Sequence, residues 1–402
     1  MKILYLNYSS DTLQIMRIED VAHGLRLQGH EVIVKYMHHR VSAQIKEAQK
    51  RDENPYTTSR KVSLIFRPRQ RWLAVAHGEF RRFVGNLRFL FIEIAEILKH
   101  KPDFVLTRLM PIWSIFLSAF LLRQKLVLDT DGPMLEAFGY EGSNLPYYYL
   151  RLEKIFIRKA KALSVISSSM KEFYGSFGGD PDRIFVCPNG INAQLFHPHL
   201  DATAIKDKYH LKDKVVIGFM GNLASWHGLP GLLNEFPALA HKYENVHLLL
   251  VGFQLDWDNL PEEVDKKLAD FKNRITCTGR IPFESMPYHL KAIDIFVLPY
   301  RFMEFFYFSP VKLFESMGVG CAVAAAGIGQ IAEVIEDGKD GLLFPAGNYD
   351  EMRLRIEKLI EDPSLRLSLG KAAAEKIHAN YLWEITTKAM IKAYQYAYGH
   401  KS

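Results

Sequence analysis

Short apolar runs and longer stretches with helical spacing alternate along this chain. The run KILYLNY precedes a helical stretch from Asp11 to Gln28, which ends at Gly29 and leads into HEVIVKYM, so the chain opens with a βαβ unit. The segments DFVLTRL, KLVLDTD, ALSVISSS and RIFVCPNG continue the pattern. Their continuous hydrophobicity predicts strands of a parallel sheet that is buried on both faces.

The same alternation starts again after the polar segment HPHLDATAIKDKYHLKDK, which is typical of a linker. The later apolar runs are VVIGFMGNL, VHLLLVGF, RITCTGRI, IDIFVLPY, CAVAAAG and GLLFPAG. We therefore expect two doubly wound, Rossmann-like α/β domains, at residues 1–198 and 199–380, and an amphipathic helix within 381–402. Ligands of such sheets bind at the carboxyl ends of the strands, so the loops that follow strands are where chemistry is expected.

Composition narrows the cellular setting. The 402 residues are 48% hydrophobic, which is enough for large cores, and the three cysteines, Cys187, Cys277 and Cys321, are too few and too far apart for a disulfide framework. The start of the chain lacks the signature of a signal peptide, and the longest apolar run, 109–122, is shorter than the ~20 residues that span a bilayer. We expect a cytoplasmic protein without a membrane span.

The segment 60–88 is rich in arginine and aromatic residues and contains a single acidic residue. Three interpretations are open: a solvated basic helix face, a contact with an anionic membrane surface, and a nucleic-acid patch. The last is the weakest, since no nucleic-acid-binding motif accompanies the segment, and we expect no nucleic-acid partner.

The segment SPVKLFESMG combines a helix start with an unfavourable charge. Ser309 and Pro310 predict an N-cap and a first helical residue, followed by Val311, yet the first-turn charge is Lys312, at the end that favours acidic groups. An ion pair with Glu315 would contribute only ~0.2–0.5 kcal/mol. The alternative is that the free N–H groups around residues 309–312 and the Lys312 ammonium bind one phosphate or diphosphate, with Glu315 placed to accept from ribose hydroxyls.

A glycine-containing loop, GFMGNLASWHGLPGLL, follows the first strand of the second domain. Gly218 and Gly221 end that strand, and Gly228 opens the next helix. The loop is either a phosphate-approaching turn or a compact turn that needs positive φ. No glycine fingerprint follows the first strand of the chain, so we expect no nicotinamide dinucleotide there.

The segment SPVKLFESMGVGCAVAAAGIGQIAEVIEDGKDGLLFPAGN resembles the donor-binding segment of retaining GT-B glycosyltransferases of family four, also called group 1. The pieces GFMGNLASWHGLPGLL and ITCTGRIPFESMPYHLKAIDIFVLPY precede it in the family's order, and KALSVISSSMKEFYGSFGGDPDRIFVCPNGINAQLFHP matches the end of the family's first domain. The resemblance implies two domains facing a cleft, an acceptor-binding first domain joined by the returning final helix, and a donor-binding second domain. It further implies a nucleoside-diphosphate sugar as co-substrate, with no metal or other cofactor.

Four positions test the resemblance residue by residue. Glu315 matches the second glutamate of the family's Glu-x7-Glu element, which contacts the nucleotide ribose, but Tyr307 occupies the first position. Asn222 and His227 stand where many members carry an arginine and a lysine for the diphosphate. Lys312 is therefore expected to supply part of the missing positive charge.

Further residues follow from the resemblance, each with a plainer alternative. Gly327, Gly329 and Gln330 resemble the glycine-rich loop near the donor phosphates or sugar, or form a strand-to-helix turn. Arg280 follows a strand where the family's loop approaches the base, or is a surface arginine. Asp131 lies where members often carry a histidine facing the sugar, and would contact donor sugar or acceptor, or cap a turn.

Together these expectations describe a hexosyltransferase whose catalytic residues are Asp131, Lys312 and Glu315. Gly221, Asn222, His227, Arg280, Ser309, Pro310, Val311, Gly327, Gly329 and Gln330 would bind the donor. No metal-ligand spacing is present, and the acceptor would be a glycan or a lipid-linked sugar in cell-surface polysaccharide synthesis, at the inner face of the membrane if segment 60–88 contacts it. A nucleotide-sugar epimerase and a catalytically silent nucleotide-binding subunit are the alternatives.

Overall fold

The chain folds into two α/β units in the computed structural model, which describes residues 1–8, 12–37, 71–108, 113–123, 125–133, 145–221, 225–255 and 262–399. Unit 1 comprises residues 1–166, 170–187 and 386–402, and unit 2 comprises 167–169 and 188–385. Among the described parts of the chain, each unit contains one six-stranded parallel sheet. The predicted pair of Rossmann-like domains is confirmed.

The unit 1 sheet has the strand order β2-β1-β3-β4-β5-β6. Its strands are β1 (Lys2–Asn7), β2 (Glu31–Tyr36), β3 (Phe104–Arg108), β4 (Leu126–Thr130), β5 (Ala162–Val165) and β6 (Ile184–Val186). Its helices are Thr12–Leu27, Arg71–His100, Trp113–Leu121, Leu145–Lys159 and Ser168–Ser176, with the 3₁₀ turn Pro181–Arg183 before β6. β1, β3, β4 and β5 are buried almost throughout, as their apolar runs predict.

The unit 2 sheet has the order β12-β11-β10-β7-β8-β9. Its strands are β7 (Val215–Met220), β8 (Val246–Val251), β9 (Ile275–Cys277), β10 (Ile295–Leu298), β11 (Ala322–Ala326) and β12 (Leu342–Phe344). Its longer helices are Leu229–Lys242, Val311–Gly318, Tyr349–Glu361 and Pro363–Asn380, and shorter ones are Thr203–Lys208, Glu262–Leu268, Met286–Lys291 and Gln330–Val334. The 3₁₀ turns are Ser225–His227, Ala269–Arg274 and Phe283–Ser285.

The final helix, Trp383–Tyr398, belongs to unit 1 from residue 386 onward. Its Tyr394 ring lies 4.7 Å from the Phe104 ring, and Thr387 accepts a 2.8 Å hydrogen bond from the Gln28 amide. Gly24 faces Thr387 so closely that a methyl group on Gly24 would overlap its side chain. The helix is therefore part of the packed interior of unit 1.

Each sheet has one switch point, where successive connections leave in opposite directions. In unit 1 the chain passes from β1 to β2 on one side and then adds β3 on the other side of β1. In unit 2 it passes from β7 through β8 to β9 and then adds β10 on the other side of β7. Ligands of open α/β sheets bind at such switch points, beyond the carboxyl ends of the central strands, so these two edges are where a site is expected.

The basic segment 60–88 falls only partly on residues that the structure describes. Residues 60–70 lie outside them, and the rest begins the helix Arg71–His100. None of the helices in the described ranges combines the length and apolar character that crossing a bilayer requires.

Candidate functional site

The turn after β7 begins the candidate site at the unit 2 switch point. Gly221 has a φ of +146°, and Gly228 has a φ of +71° at the N-cap of the helix Leu229–Lys242. A Cβ on Gly228 would overlap the carbonyl oxygen of Pro299, just after β10. Both positions need glycine because of positive φ, and Gly228 also because the backbones of two loops meet there. The predicted compact turn is present, and Asn222 lies outside the described residues.

The side chain of Lys312, in the first turn of the helix Val311–Gly318, extends into this turn. Its Nζ lies 3.2 Å from Nε2 of His227, and a Cβ built on Gly221 would stand 2.5 Å from the same Nζ. The ammonium also lies over the rings of Phe219, at 5.1 Å, and Tyr300, at 5.7 Å. The helix residue that carries the unfavourable charge thus reaches the strand end where a phosphate is expected.

The surroundings of Lys312 lack a matching anion. Among the residues that the structure describes, no carboxylate lies within ion-pair distance of its Nζ. Removal from water lowers the pKa of Lys312 to about 7, although the charge of Glu315 acts in the opposite direction. Lys312 is therefore a desolvated ammonium that lies beside His227 and over two aromatic rings, with no carboxylate of the described residues paired to it.

The start of the helix Val311–Gly318 differs from the prediction. Pro310 is the N-cap and Val311 the first helical residue, and no side chain caps the helix. Ser309 Oγ instead accepts a 2.9 Å bond from the backbone N–H of Asn189, whose side-chain amide donates to the Ser309 carbonyl at 2.7 Å. The prediction that Ser309 caps this helix was wrong. Its hydroxyl bonds Asn189 instead, which lies 120 residues earlier in the chain and is not visible in the local sequence. The first-turn N–H groups are consequently left without a side-chain cap, as an anion site requires.

Glu315 and Tyr307 both lie inside unit 2. Glu315 is 6% exposed, one turn beyond Lys312 on the same short helix. Tyr307 is also buried, its ring 4.3 Å from that of Phe308, and its carbonyl accepts a 2.7 Å bond from Ser167. Tyr307 therefore takes part in packing at the position where the family's first glutamate is expected, and the roles of both residues stay predictions.

The second glycine-containing turn packs against Phe306, whose ring contacts the Tyr300 ring that lies beside Lys312. Gly329 has a φ of +50°, and a Cβ there would overlap the ring of Phe306, which lies 5.2 Å from the Tyr300 ring. Gly327 donates its N–H to the Phe344 carbonyl at 2.8 Å, and Gln330 begins the helix Gln330–Val334 as a buried side chain. The strand-to-helix turn is present, and a role toward the donor stays a prediction.

Arg280 is exposed and follows β9, the last strand at one edge of the sheet. The preceding Gly279 has a φ of +66°, which allows the chain to turn there. The loop position is the predicted one, whereas the contact with a base stays a prediction.

Four charged side chains meet at the carboxyl edge of unit 1. Arg17 donates to Asp129 at 3.1 and 3.3 Å, and Asp129 also accepts from Ser164 at 2.8 Å. The neighbouring Arg108, the last residue of β3, forms an ion pair with Asp131, the first residue after β4. Burial raises the pKa of Asp129, but the arginines outweigh it and hold that pKa below its ordinary value.

The turn-capping alternative for Asp131 is not what the structure shows. The hydroxyl of Thr130 donates to the Gly132 carbonyl at 2.9 Å and so closes the turn. Asp131 faces Arg108 instead, and 38% of its side chain is exposed. Arg17 and Arg108 were missed from the sequence, although an arginine that ends the buried strand DFVLTR was a visible signal.

Comparisons with known proteins agree with this architecture. The model of the family described as "Glycosyltransferase Family 4" matches residues 16–195, and that described as "Glycosyl transferases group 1" matches 214–362. An uncharacterized glycosyltransferase of Methanocaldococcus jannaschii is 28% identical over 70% of this chain and 70% of its own length. The capsular polysaccharide biosynthesis glycosyltransferase CapM of Staphylococcus aureus is 27% identical over 59% of this chain and 63% of its own.

A solved structure extends the likeness to the whole fold. The Anabaena protein HepE, crystallised with UDP and glucose, superimposes with a TM-score of 0.72 over 98% of this chain and 99% of its own, at 18% identity. At that identity the likeness concerns the fold. The matches favour a transferase over the epimerase and the silent subunit.

Proposed function

This chain belongs to the glycosyltransferases of group 1, family four, and on that premise we propose that it transfers a sugar, with retention and without a metal, from a nucleoside-diphosphate sugar. The observation that carries the donor assignment is the Lys312 ammonium, which lies 3.2 Å from Nε2 of His227 at an uncapped helix start and has no carboxylate within ion-pair distance among the described residues. A diphosphate would supply the missing negative charge. The UDP bound in the structure of HepE supports a nucleotide donor.

The reaction follows from the charge that develops in it. Cleavage of the bond between the sugar and the diphosphate leaves negative charge on the phosphate and positive character on the sugar. Donors fixed beforehand at the phosphate stabilise that transition state more than the ground state. Lys312, His227 and the N–H groups at Val311 and Lys312 are such donors, while Glu315 would bind the ribose.

Thermal melting with UDP, GDP, ADP, dTDP and CMP tests the donor site. A ligand at 100 times its dissociation constant stabilises the folded state by ~2.7 kcal/mol, which corresponds to a shift of a few degrees. We expect one nucleoside diphosphate to give this shift in the wild type and in the control Lys339→Ala, an exposed lysine elsewhere in unit 2. Lys312→Ala should abolish it. No shift with any of these nucleotides would contradict the proposal.

The acceptor is proposed to be a glycan or a lipid-linked sugar in the synthesis of a surface polysaccharide, in line with CapM, a glycosyltransferase of capsular polysaccharide biosynthesis. A surface of unit 1 supports contact with an anionic membrane. On the helix Arg71–His100, the apolar side chains Val84, Leu87, Phe91 and Leu98 are 39 to 71% exposed. Their successive spacings of three, four and seven residues align them along one side of the helix, which continues the basic segment 60–88.

Vesicle flotation tests the membrane contact. The protein should float with vesicles that contain phosphatidylglycerol, and less so with phosphatidylcholine alone or at high salt. Phe91→Glu should reduce flotation, whereas Leu354→Glu, an exposed leucine in unit 2, should not. Flotation that is insensitive to lipid charge and to salt would remove the contact. Product analysis with the donor that melting identifies would distinguish transfer from isomerisation.

A further inference from the structure

Arg108 is a buried cation with an unused hydrogen-bond donor. The residue is 3% exposed, and its Nη1 has no hydrogen-bond partner among the residues that the structure describes. Its ion pair with Asp131 brings Nη2 against that carboxylate, although Nη2, like Nη1, makes no well-formed hydrogen bond to the described residues. A buried N–H group without a partner is costly, so a ligand that accepts from Nη1 would gain more there than at a surface arginine.

The place of Arg108 in the fold is where a ligand is expected. β3 lies beside β1 at the switch point of the unit 1 sheet, and Arg108 is its last residue. Asp131 follows the adjacent strand β4, and its side chain is partly exposed to solvent. A donor and an acceptor therefore stand next to each other at the carboxyl edge.

The charge of the cluster selects the chemistry of the ligand. Arg17 and Arg108 are balanced by Asp129 and Asp131, so these four side chains have no net charge. A phosphate or carboxylate would gain little from such a cluster and would meet the exposed carboxylate of Asp131. Two neighbouring hydroxyl groups fit better, since one oxygen accepts from the guanidinium while the other hydroxyl donates to the carboxylate.

We propose that Arg108 and Asp131 bind two neighbouring hydroxyl groups of an uncharged acceptor sugar. The proposal rests on the proposed transferase function and names the class of acceptor within it. Arg108 is then a binding residue, and Asp131 accepts from the hydroxyl rather than capping the turn.

Saturation-transfer NMR with p-nitrophenyl glycosides tests this directly. The probes are the glucoside, the galactoside and the mannoside, their 2-deoxy and 3-deoxy forms, and the charged glucuronide. At least one neutral glycoside should bind the wild type at millimolar to tens of millimolar concentration, and more tightly than the glucuronide. Asp131→Asn and Arg108→Lys should each weaken it about tenfold or more, as for hydrogen bonds to charged groups.

Matched controls separate binding from folding. Arg183→Lys and Asp180→Asn alter an exposed arginine–aspartate ion pair at the opposite edge of the same sheet and should leave glycoside binding unchanged. Removal of one hydroxyl from the probe should weaken binding to the wild type but not to Asp131→Asn, which a merely structural role would not produce. Retention of the melting shift with a nucleoside diphosphate shows that the donor site is intact in these variants.

Several results would overturn the proposal: no neutral glycoside binds, the glucuronide binds more tightly, or Asp131→Asn binds as the wild type does. The absence of any melting shift with nucleotides in the wild type would instead contradict the proposed function.

Discussion

At the carboxyl edge of the unit 1 sheet two arginines lie beside two aspartates, whereas the corresponding edge of unit 2 holds a lysine beside a histidine and aromatic rings. Arg17 is paired with Asp129 and Arg108 with Asp131. Lys312 meets His227 and has no ion-pair partner among the described residues. Both positions lie at the switch point of a parallel sheet, so topology alone does not distinguish them.

The difference lies in where the compensating charge comes from. In unit 1 the chain provides it, so the buried charges are balanced before any ligand arrives, although Arg108 keeps a hydrogen-bond donor unused by the described residues. In unit 2 the compensation is left to a ligand, and burial without it lowers the pKa of Lys312 to about 7. A compensated cluster suits a neutral ligand, while an uncompensated pair suits an anion.

The largest loss of stability is expected in unit 1, when the positive charge that balances buried Asp129 is removed. Arg17→Met would remove both hydrogen bonds that Arg17 donates to buried Asp129 and leave the carboxylate with Ser164, Tyr5 and the charge of nearby Arg108, which should lower the free energy of unfolding by about 3–5 kcal/mol. Arg183→Met breaks an exposed pair and should cost less than about 1 kcal/mol. Chemical denaturation followed by circular dichroism measures both, and similar losses would show that burial of the pair is unimportant.

The next largest loss of stability is expected at Ser309, because its hydrogen bonds with Asn189 join the start of the Lys312 helix to a distant loop. Ser309→Ala removes the acceptor of a buried Asn189 N–H and should cost about 1–3 kcal/mol. Ser316→Ala, in the same helix, removes only a hydroxyl that donates to the Leu313 carbonyl and should cost less. Asn189→Ala removes the other bond of this pair, which its side-chain amide donates to the Ser309 carbonyl, and should also destabilise the fold. A loss from Ser309→Ala no larger than that from Ser316→Ala would contradict the assigned role of the Ser309 hydroxyl.

The sequence predicts the fold far better than it predicts these partners. Alternating apolar runs are local signals, and they identified both sheets. Lys312 was identifiable because its charge conflicts with the helix start at which it lies. The bond between Ser309 and Asn189, and the pair of Arg108 and Asp131, depend on which strands become neighbours, and short-range patterns do not contain that information.

Donor affinity should depend on pH through Lys312. Its pKa is about 7 without ligand, and a bound diphosphate would raise it, so the protonated lysine contributes affinity below pH 7 that is lost as pH rises above it. The loss of donor affinity should approach about tenfold per pH unit, which corresponds to ~1.4 kcal/mol of binding free energy. Calorimetry at about pH 6 and about pH 8 measures it. Lys312→Arg, which stays charged, should show a flatter dependence, and equal slopes would contradict the assignment.

The smallest effect should come from removing Lys312 without a ligand. Lys312 keeps a cation near Phe219 and Tyr300 with no ion-pair partner in the described part of the chain, so Lys312→Met should leave the free energy of unfolding unchanged or raise it by up to about 1 kcal/mol. The same variant should lose the nucleotide melting shift. Stability that is retained while binding is lost is the opposite of what Arg17→Met should show. A large destabilisation by Lys312→Met would mean that unit 2, like unit 1, already supplies its own compensation.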